Sequence, residues 1–227
     1  MTHLEPKVGF YGLSYNNPEK KNNLVGRFKF LGLDITISDG FTRQNKALSC
    51  MLGHLQLIRK FYESDDDYAV ICEDGIFVHK NLKTDIPKIV EKFDDLKLDI
   101  LLMGYLIMQS FVPDYYLMEK LENFSFYHMP VPIWGTQMYL ISKKYAGDVL
   151  EKYSETEKYM NMEEDVEIER LLDPSICAAD WSITKNGNRA IMYPMYAIKD
   201  GSGFYEDEGQ RNIHFETFFC NITRNYF

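Results

Sequence analysis

Cysteine is scarce in this 227-residue chain, and what there is does not cluster. Cys50, Cys72, Cys177 and Cys220 form no Cys-x-x-Cys pair, which argues against a structural zinc site and against a dense disulfide framework. A reduced, cytoplasmic setting is the expectation. No apolar stretch approaches the roughly 20 residues needed to span a bilayer. The opening Met1-Thr-His-Leu-Glu-Pro-Lys7 lacks the apolar core of a signal peptide. The expectation is therefore a cytoplasmic protein without a membrane span, or a domain cut from a longer chain. No run of Lys and Arg is long enough to track a phosphate backbone, and the formal net charge is −9, so nucleic acid is not an expected partner. Also missing are Gly-x-x-x-x-Gly-Lys-Ser/Thr, Gly-x-Ser-x-Gly and His-Glu-x-x-His, and P-loop NTPases, α/β-hydrolases and zincins lose support with them.

The chain does carry enough apolar residues for a sizeable core, and its aromatic content of 15% is high, as suits both a core and a sugar- or base-binding cleft. Asn123-Phe-Ser and Asn221-Ile-Thr match the N-glycosylation acceptor pattern, which matters only in a secretory compartment.

Read in order, Lys7 to Gly12 is expected as a first strand and Gly12 to Asn17 as a loop. Pro18 suits the first turn of a helix running through Leu24, Val25, Phe28 and Leu31, with Gly32 as its stop. Asp34 to Ser38 alternates like a second strand. Leu48, Met51, Leu52, Leu55, Ile58 and Tyr62 form one stripe of a second helix. Tyr68 to Cys72 is a short apolar run, typical of a strand covered on both faces, and it ends in Glu73-Asp74-Gly75. This strand–helix alternation predicts a mostly parallel sheet with right-handed crossovers, flanked by helices. Further on, Thr84 and Asp85 are expected to cap a helix with Pro87 in its first turn, and Leu98 to Gly104 to form a strand. Tyr105 to Pro132 reads as an excursion with a short helix near Tyr115 to Leu121. Gly135 to Ser142 reads as a central strand, Lys143 to Tyr153 as a helix, and Ser154 to Arg170 as a solvated loop plus helix. Arg189 to Tyr193 reads as a last strand, and the tail from Met195 has no clear pattern. Without repeats or linkers, residues 1–227 are expected to form one domain.

Four groups of residues could carry chemistry. Glu73 and Asp74 leave a buried strand where open α/β sheets bind ligands, and adjacent carboxylates there can hold a hard divalent cation; a strand-end turn with two solvated acids is the plain alternative. Asp65-Asp-Asp67 precedes the strand, at the wrong end of the sheet, and reads as a solvated turn. Arg43 and Lys46 precede a helix start near Leu48, whose free N–H groups suit a phosphate or a ribose, or merely a cap with basic neighbours. Asp180 beside Trp181 suits a general base against a sugar platform, since burial raises a carboxylate's pKa; a turn aspartate is the alternative. His214 in the tail can complete a cation's shell, although a lone histidine has many other uses. Glu163-Glu-Asp165, Glu167 and Glu169 read as a solvated helix face and a second source of the base.

Leu48-Ser-Cys-Met-Leu-Gly-His-Leu-Gln-Leu-Ile58 followed by Tyr68-Ala-Val-Ile-Cys-Glu-Asp74 resembles glycosyltransferase family 25, whose members carry a Gly-Cys-x-x-Ser-His helix and then a strand ending in Glu-Asp-Asp. Asp39-Gly40, Asp99 to Gly104 and Gly135 to Ser142 match its other segments, so that the likeness covers residues Val8 to Asp180. The wording Ile-Cys-Glu-Asp-Gly and Trp134-Gly-Thr-Gln-Met is similar to relatives encoded by large DNA viruses, which would place the protein in host cytoplasm. The resemblance implies a GT-A fold, with a nucleotide-binding part over about 1–104 and an acceptor part over about 105–227. It implies inverting transfer of a sugar from a nucleotide-sugar donor, UDP-linked by preference, to a hydroxyl of a glycan acceptor, with Mn²⁺ or Mg²⁺ at the acidic motif. Asp180 falls at the family's late aspartate and is the implied base. Tyr11, Gly12, Leu13 and Ser14, with Arg27, Asp39, Arg43, Glu73 and Asp74, are the implied donor contacts; Asp74 and His214 are the implied metal ligands. One position departs: the family's third acid is Gly75 here, which leaves Asp74 as direct ligand and Glu73 on the ribose or a metal-bound water. The same corner would serve a nucleotide-sugar hydrolase, a nucleotidyltransferase or a non-catalytic binding domain.

Overall fold

A computed structural model describes residues 6–106, 114–129, 133–162, 172–173, 177–199, 201 and 208–227. Its first half follows the expected alternation: β1 (Val8–Ser14), α1 (Pro18–Phe30), β2 (Thr36–Asp39), α2 (Lys46–Tyr62) and β3 (Tyr68–Glu73). Local chemistry fixes the helix starts. The Asn17 side chain accepts from the Lys20 N–H ahead of α1, and Asn45 accepts from the Leu48 N–H at 3.0 Å, which begins α2 two residues before Leu48. Leu48, Met51, Leu52, Leu55 and Ile58 are buried as the stripe predicts, whereas Tyr62 is half exposed.

After a tight turn come β4 (Ile76–Val78), α3 (Leu82–Asp95) and β5 (Ile100–Leu106). Helix α3 starts earlier than Thr84, with Pro87 inside it, and Asp85 accepts from the hydroxyl of Tyr196 instead of capping. Then follow a 3₁₀ turn at Asp114–Tyr116, β6 (Leu117–Lys120), β7 (Ser125–His128), β8 (Trp134–Ser142), α4 (Lys143–Lys152) and α5 (Ser154–Glu157). The last elements are α6 (Ala179–Ser182), β9 (Arg189–Tyr193), β10 (Ala197–Lys199) and α7 (Glu208–Asn221). The short helix expected near Tyr115 is thus a single turn running into a strand. The acidic run from Glu163 to Glu169 lies outside the described residues.

Eight strands form one sheet in the order β2-β1-β3-β8-β5-β9-β7-β6. The pairs β1–β2, β1–β3 and β5–β9 are parallel, but β8 runs antiparallel between β3 and β5, and β7 runs antiparallel to β9 and β6. The sheet is therefore mixed, where a mostly parallel one was expected. A parallel step from β5 to β8 needs a crossover, usually a helix; the intervening segment supplies a β6–β7 pair. Strand alternation sorts the core into two layers. Tyr11, Leu13, Ala69 and Ile71 pack on the α2 and α4 side, and Phe10, Val70 and Cys72 on the α1 and α3 side. No helix among the described residues is long and apolar enough to cross a membrane.

Candidate active site

The parallel strands β1 and β3 end side by side, and because β8 runs the other way, its first residues arrive at the same rim. Pairing continues past β3: the Asp74 N–H bonds to the Leu13 carbonyl at 2.8 Å, and the Ser14 hydroxyl donates to Asp74 Oδ2 at 2.8 Å. Gly75 then turns the chain with φ +73°, a left-handed conformation natural for glycine. The short β4–β10 ladder pairs Ile76 with Lys199, which brings the Lys199 ammonium to 3.1 Å from Glu73 Oε2.

Glu73 Oε1 lies 2.9 Å from the Thr136 hydroxyl of β8 and 3.6 Å from His54 Nε2 of α2. The same Thr136 oxygen is 3.0 Å from Asp180 Oδ1. A hydroxyl has one proton to give, so it cannot donate to both carboxylates at once. Their surroundings decide the sharing. Burial alone would raise the Glu73 pKa, but the Lys199 ammonium, His54 and Thr136 outweigh it and hold the carboxyl well below the usual carboxylate range. Burial raises the Asp180 pKa, the Glu73 charge raises it further, and hydrogen bonds from Thr136 and the Gly135 backbone only partly offset this. The two carboxyls thus differ in proton affinity, lowered at Glu73 and raised at Asp180.

Beside Glu73 and Asp74 opens a cavity of about 440 Å³, within the usual range for small-molecule sites. Leu13, Gly40 and Arg43 line it, Tyr15 and Phe41 contribute aromatic faces, and the first turns of α2 add Lys46, Ser49 and Cys50. Of the residues nominated from sequence, Leu13, Arg43, Glu73 and Asp74 meet at this cavity, while Ser14 and Asp180 join through hydrogen bonds. The Arg43 guanidinium, however, donates to the carbonyls of Tyr159 and Met162.

Other nominations fall elsewhere. Leu13 and Ser14, expected in the loop, are instead the end of β1. The Tyr11 side chain points to the opposite end of the sheet, where its hydroxyl bonds Asp66 at 2.6 Å, and burial with that carboxylate pushes its pKa up to about 12. Gly12 faces the side-chain ends of Ile37 and Leu24, which a Cβ there would meet at 2.7 and 2.9 Å. Arg27 lies over the Phe77 ring, 4.6 Å from its centroid, and Asp39 is an exposed partner of Lys21 at 2.8 Å. His214 is buried in α7; burial first and Lys199 second push its pKa down to about 4. Sequence reasoning did not nominate Thr136, Lys199, Cys50, His54, Tyr15 or Phe41. The start of a buried strand at the rim was the one signal that could have found Thr136.

The fit to Mn²⁺ or Mg²⁺ can be tested on the donor set. Among the described residues, the one group of three or more candidate ligands is Cys50, His54 and Glu73, whose ligand atoms lie within 4.8 Å of one another. Asp74 and His214 are in no such group. Hard divalent cations take several oxygens. Here one Glu73 oxygen is held by Thr136 and the other by an ammonium, Gly75 offers no side chain, and burial with the charges of Glu73 and Asp180 keeps the Cys50 thiol protonated. These residues do not fit a hard divalent cation at Glu73 and Asp74, and no step below passes through one.

A cavity at the carboxyl rim of an α/β sheet, walled in part by Glu73 and Asp74, lies where ligands bind in this architecture. The chain belongs to glycosyltransferase family 25: the model of that family (LPS biosynthesis protein) matches residues 16–166. Among solved structures it is similar to A197 from STIV, with TM-score 0.45 and 11% identity over 82% of this chain and 81% of that one. It is similar also to a glycosyltransferase involved in the glycosylation of the major capsid of PBCV-1, with TM-score 0.40 and 11% identity over 93% of this chain and 99% of that one. No curated protein matches the chain.

Proposed function

We propose that this family 25 glycosyltransferase moves a sugar from a nucleoside-diphosphate donor, UDP-linked by preference, to a hydroxyl of a glycan acceptor, with inversion. The supporting observation is the Glu73–Thr136–Asp180 bridge at the rim of the cavity, which leaves Asp180 as the carboxylate with the raised proton affinity. The donor's base would lie between Tyr15 and Phe41, with its diphosphate toward the first turn of α2, which adds Lys46 to the cavity wall. The acceptor would rest on Trp134, which is half exposed and stacked on Trp181 with ring centroids 6.3 Å apart; indole faces suit the apolar side of a sugar ring. In the reaction, Asp180 takes the proton of the acceptor hydroxyl as its oxygen bonds the anomeric carbon. The bond from that carbon to the diphosphate oxygen breaks, and the nucleoside diphosphate leaves with the electron pair. A correctly placed base contributes about 10²–10⁴-fold to rate.

Product analysis tests this reading. A nucleoside diphosphate with an extended acceptor supports transfer. Free sugar instead would make the protein a hydrolase, and the absence of both products would leave a binding domain.

A further inference from the structure

Cys50 and His54 stand one turn apart on α2, a spacing that sets both side chains on one face of the helix. Glu73, at the end of β3, meets that face, and the ligand atoms of the three residues lie within 4.8 Å of one another. The histidine is the telling member. It is wholly buried, and its Nδ1 is 3.0 Å from the Tyr139 hydroxyl. Its Nε2 is buried without a hydrogen-bond partner, and Glu73 Oε1 stands 3.6 Å away. That is too long for a good hydrogen bond. It is close to the separation of roughly 3.4 Å between nitrogen and oxygen ligands of one tetrahedral zinc ion, whose bonds to them are about 2.0–2.1 Å. Glu73 has capacity for an ion as well: a carboxylate offers about four acceptor sites, and the Thr136 hydroxyl and the Lys199 ammonium are one partner each.

We infer that Cys50, His54 and Glu73 form a site for a borderline-soft divalent cation, Zn²⁺ above all, beside the cavity that Cys50 and Glu73 line. The donor set decides the ion. A thiolate and an imidazole suit zinc, whereas Mn²⁺ and Mg²⁺ want oxygens, so the residues that fail a hard cation fit this one. The Tyr139 hydroxyl orients the ring: with Nδ1–H given to it, Nε2 presents its lone pair to the ion. As the sulfur–metal bond forms, the Cys50 thiol releases its proton to solvent. Three protein ligands leave a fourth position for water, as in zinc sites that are not closed. The inference stands whether or not the donor reading above does.

The test is a titration of the full chain, first stripped with EDTA under reducing conditions. Zn²⁺ is titrated against a chromophoric chelator, and Co²⁺ is followed by absorption. The wild type is expected to take up one Zn²⁺, held at least about a hundredfold more tightly than Mn²⁺, and its Co²⁺ form to show a thiolate-to-metal charge-transfer band. Cys50→Ser should abolish the band and weaken Zn²⁺ binding at least about tenfold, while Cys220→Ser, at an exposed thiol, changes neither. Tyr139→Phe leaves all three ligands in place and should cost about tenfold in affinity. In the wild type, Zn²⁺ should also shield Cys50, but not Cys220, from iodoacetamide, a readout that needs no variant. No Zn²⁺ uptake by the wild type, a Co²⁺ form without the sulfur band, or Zn²⁺ held by Cys50→Ser as tightly as by the wild type overturns the inference.

Discussion

Glu73 and Asp180 are two carboxylates at the ends of one Thr136 hydroxyl, yet the protein treats them in opposite ways. Glu73 closes a strand and is reached by a lysine from β10 and a histidine from α2; these cationic and polar neighbours outweigh its burial. Asp180 sits on the short helix α6, where burial and the charge of Glu73 dominate. The difference shows that role is set by what surrounds a carboxylate and not by the carboxylate itself. It also shows that one feature serves both: the anion that Lys199 stabilises is the charge that keeps Asp180 ready to accept a proton.

The sharpest way to break the comparison is Asp180→Asn. Transfer should fall by about 10²–10⁴-fold while donor affinity stays within about twofold, measured by steady-state rates and titration. The same variant should melt higher than wild type at pH 7. A carboxyl whose folded pKa is raised stabilises the fold below its unfolded value and loses that contribution as pH rises through the folded one, and asparagine has no such loss. Next comes Thr136→Val. Because the hydroxyl lowers the Asp180 pKa, its loss should move the acid limb of the kcat/KM profile to higher pH; a limb that stays or moves down would mean that Thr136 does not couple the pair.

His214→Gln tests the cationic side. The wild-type histidine, pushed down to about 4, binds fewer protons than its unfolded form between about pH 6.5 and 4, so stability is full above that window and declines as pH falls through it. The variant should flatten the profile by on the order of 2–3 kcal/mol, read from denaturant melts across that window. The smallest effect is expected of Lys21→Ala, which removes the exposed partner of Asp39 and should cost under about 0.5 kcal/mol. A much larger cost there would mean that exposure, too, fails to separate one lysine–carboxylate pair from another.

Much of the frame was legible in the residues. The apolar run Tyr68 to Cys72, the stripe of α2 and the proline–glycine limits of α1 each carry a period or a stop signal, and these elements stand where such signals place them. Strand direction has no such signal, which is why β8 reads as central but not as antiparallel. Helix α7 was hidden because Ile213, Phe215, Phe218 and Phe219 spread around its circumference, and Phe215 and Phe219 are exposed. The site divides in the same way. Glu73 and Asp74 follow a strand that announces itself, and Asp180 adjoins a tryptophan. Lys199 is an ordinary lysine until a ladder sets it against Ile76, and Thr136 is an ordinary strand threonine until the sheet closes.

That closure has a kinetic side. Ser14 and Asp74 are 60 residues apart in sequence, Thr136 and Glu73 are 63 apart, and Lys199 and Glu73 are 126 apart. Contacts so distant form late, after the entropy of closing long loops has been lost. A nascent chain still short of Lys199 holds Glu73, Asp74 and Asp180 with that counter-charge absent, so like charges face one another at the rim until Lys199 is in place. A chain clipped before β10 would keep the strands of the eight-stranded sheet and lose the ammonium that pairs with Glu73.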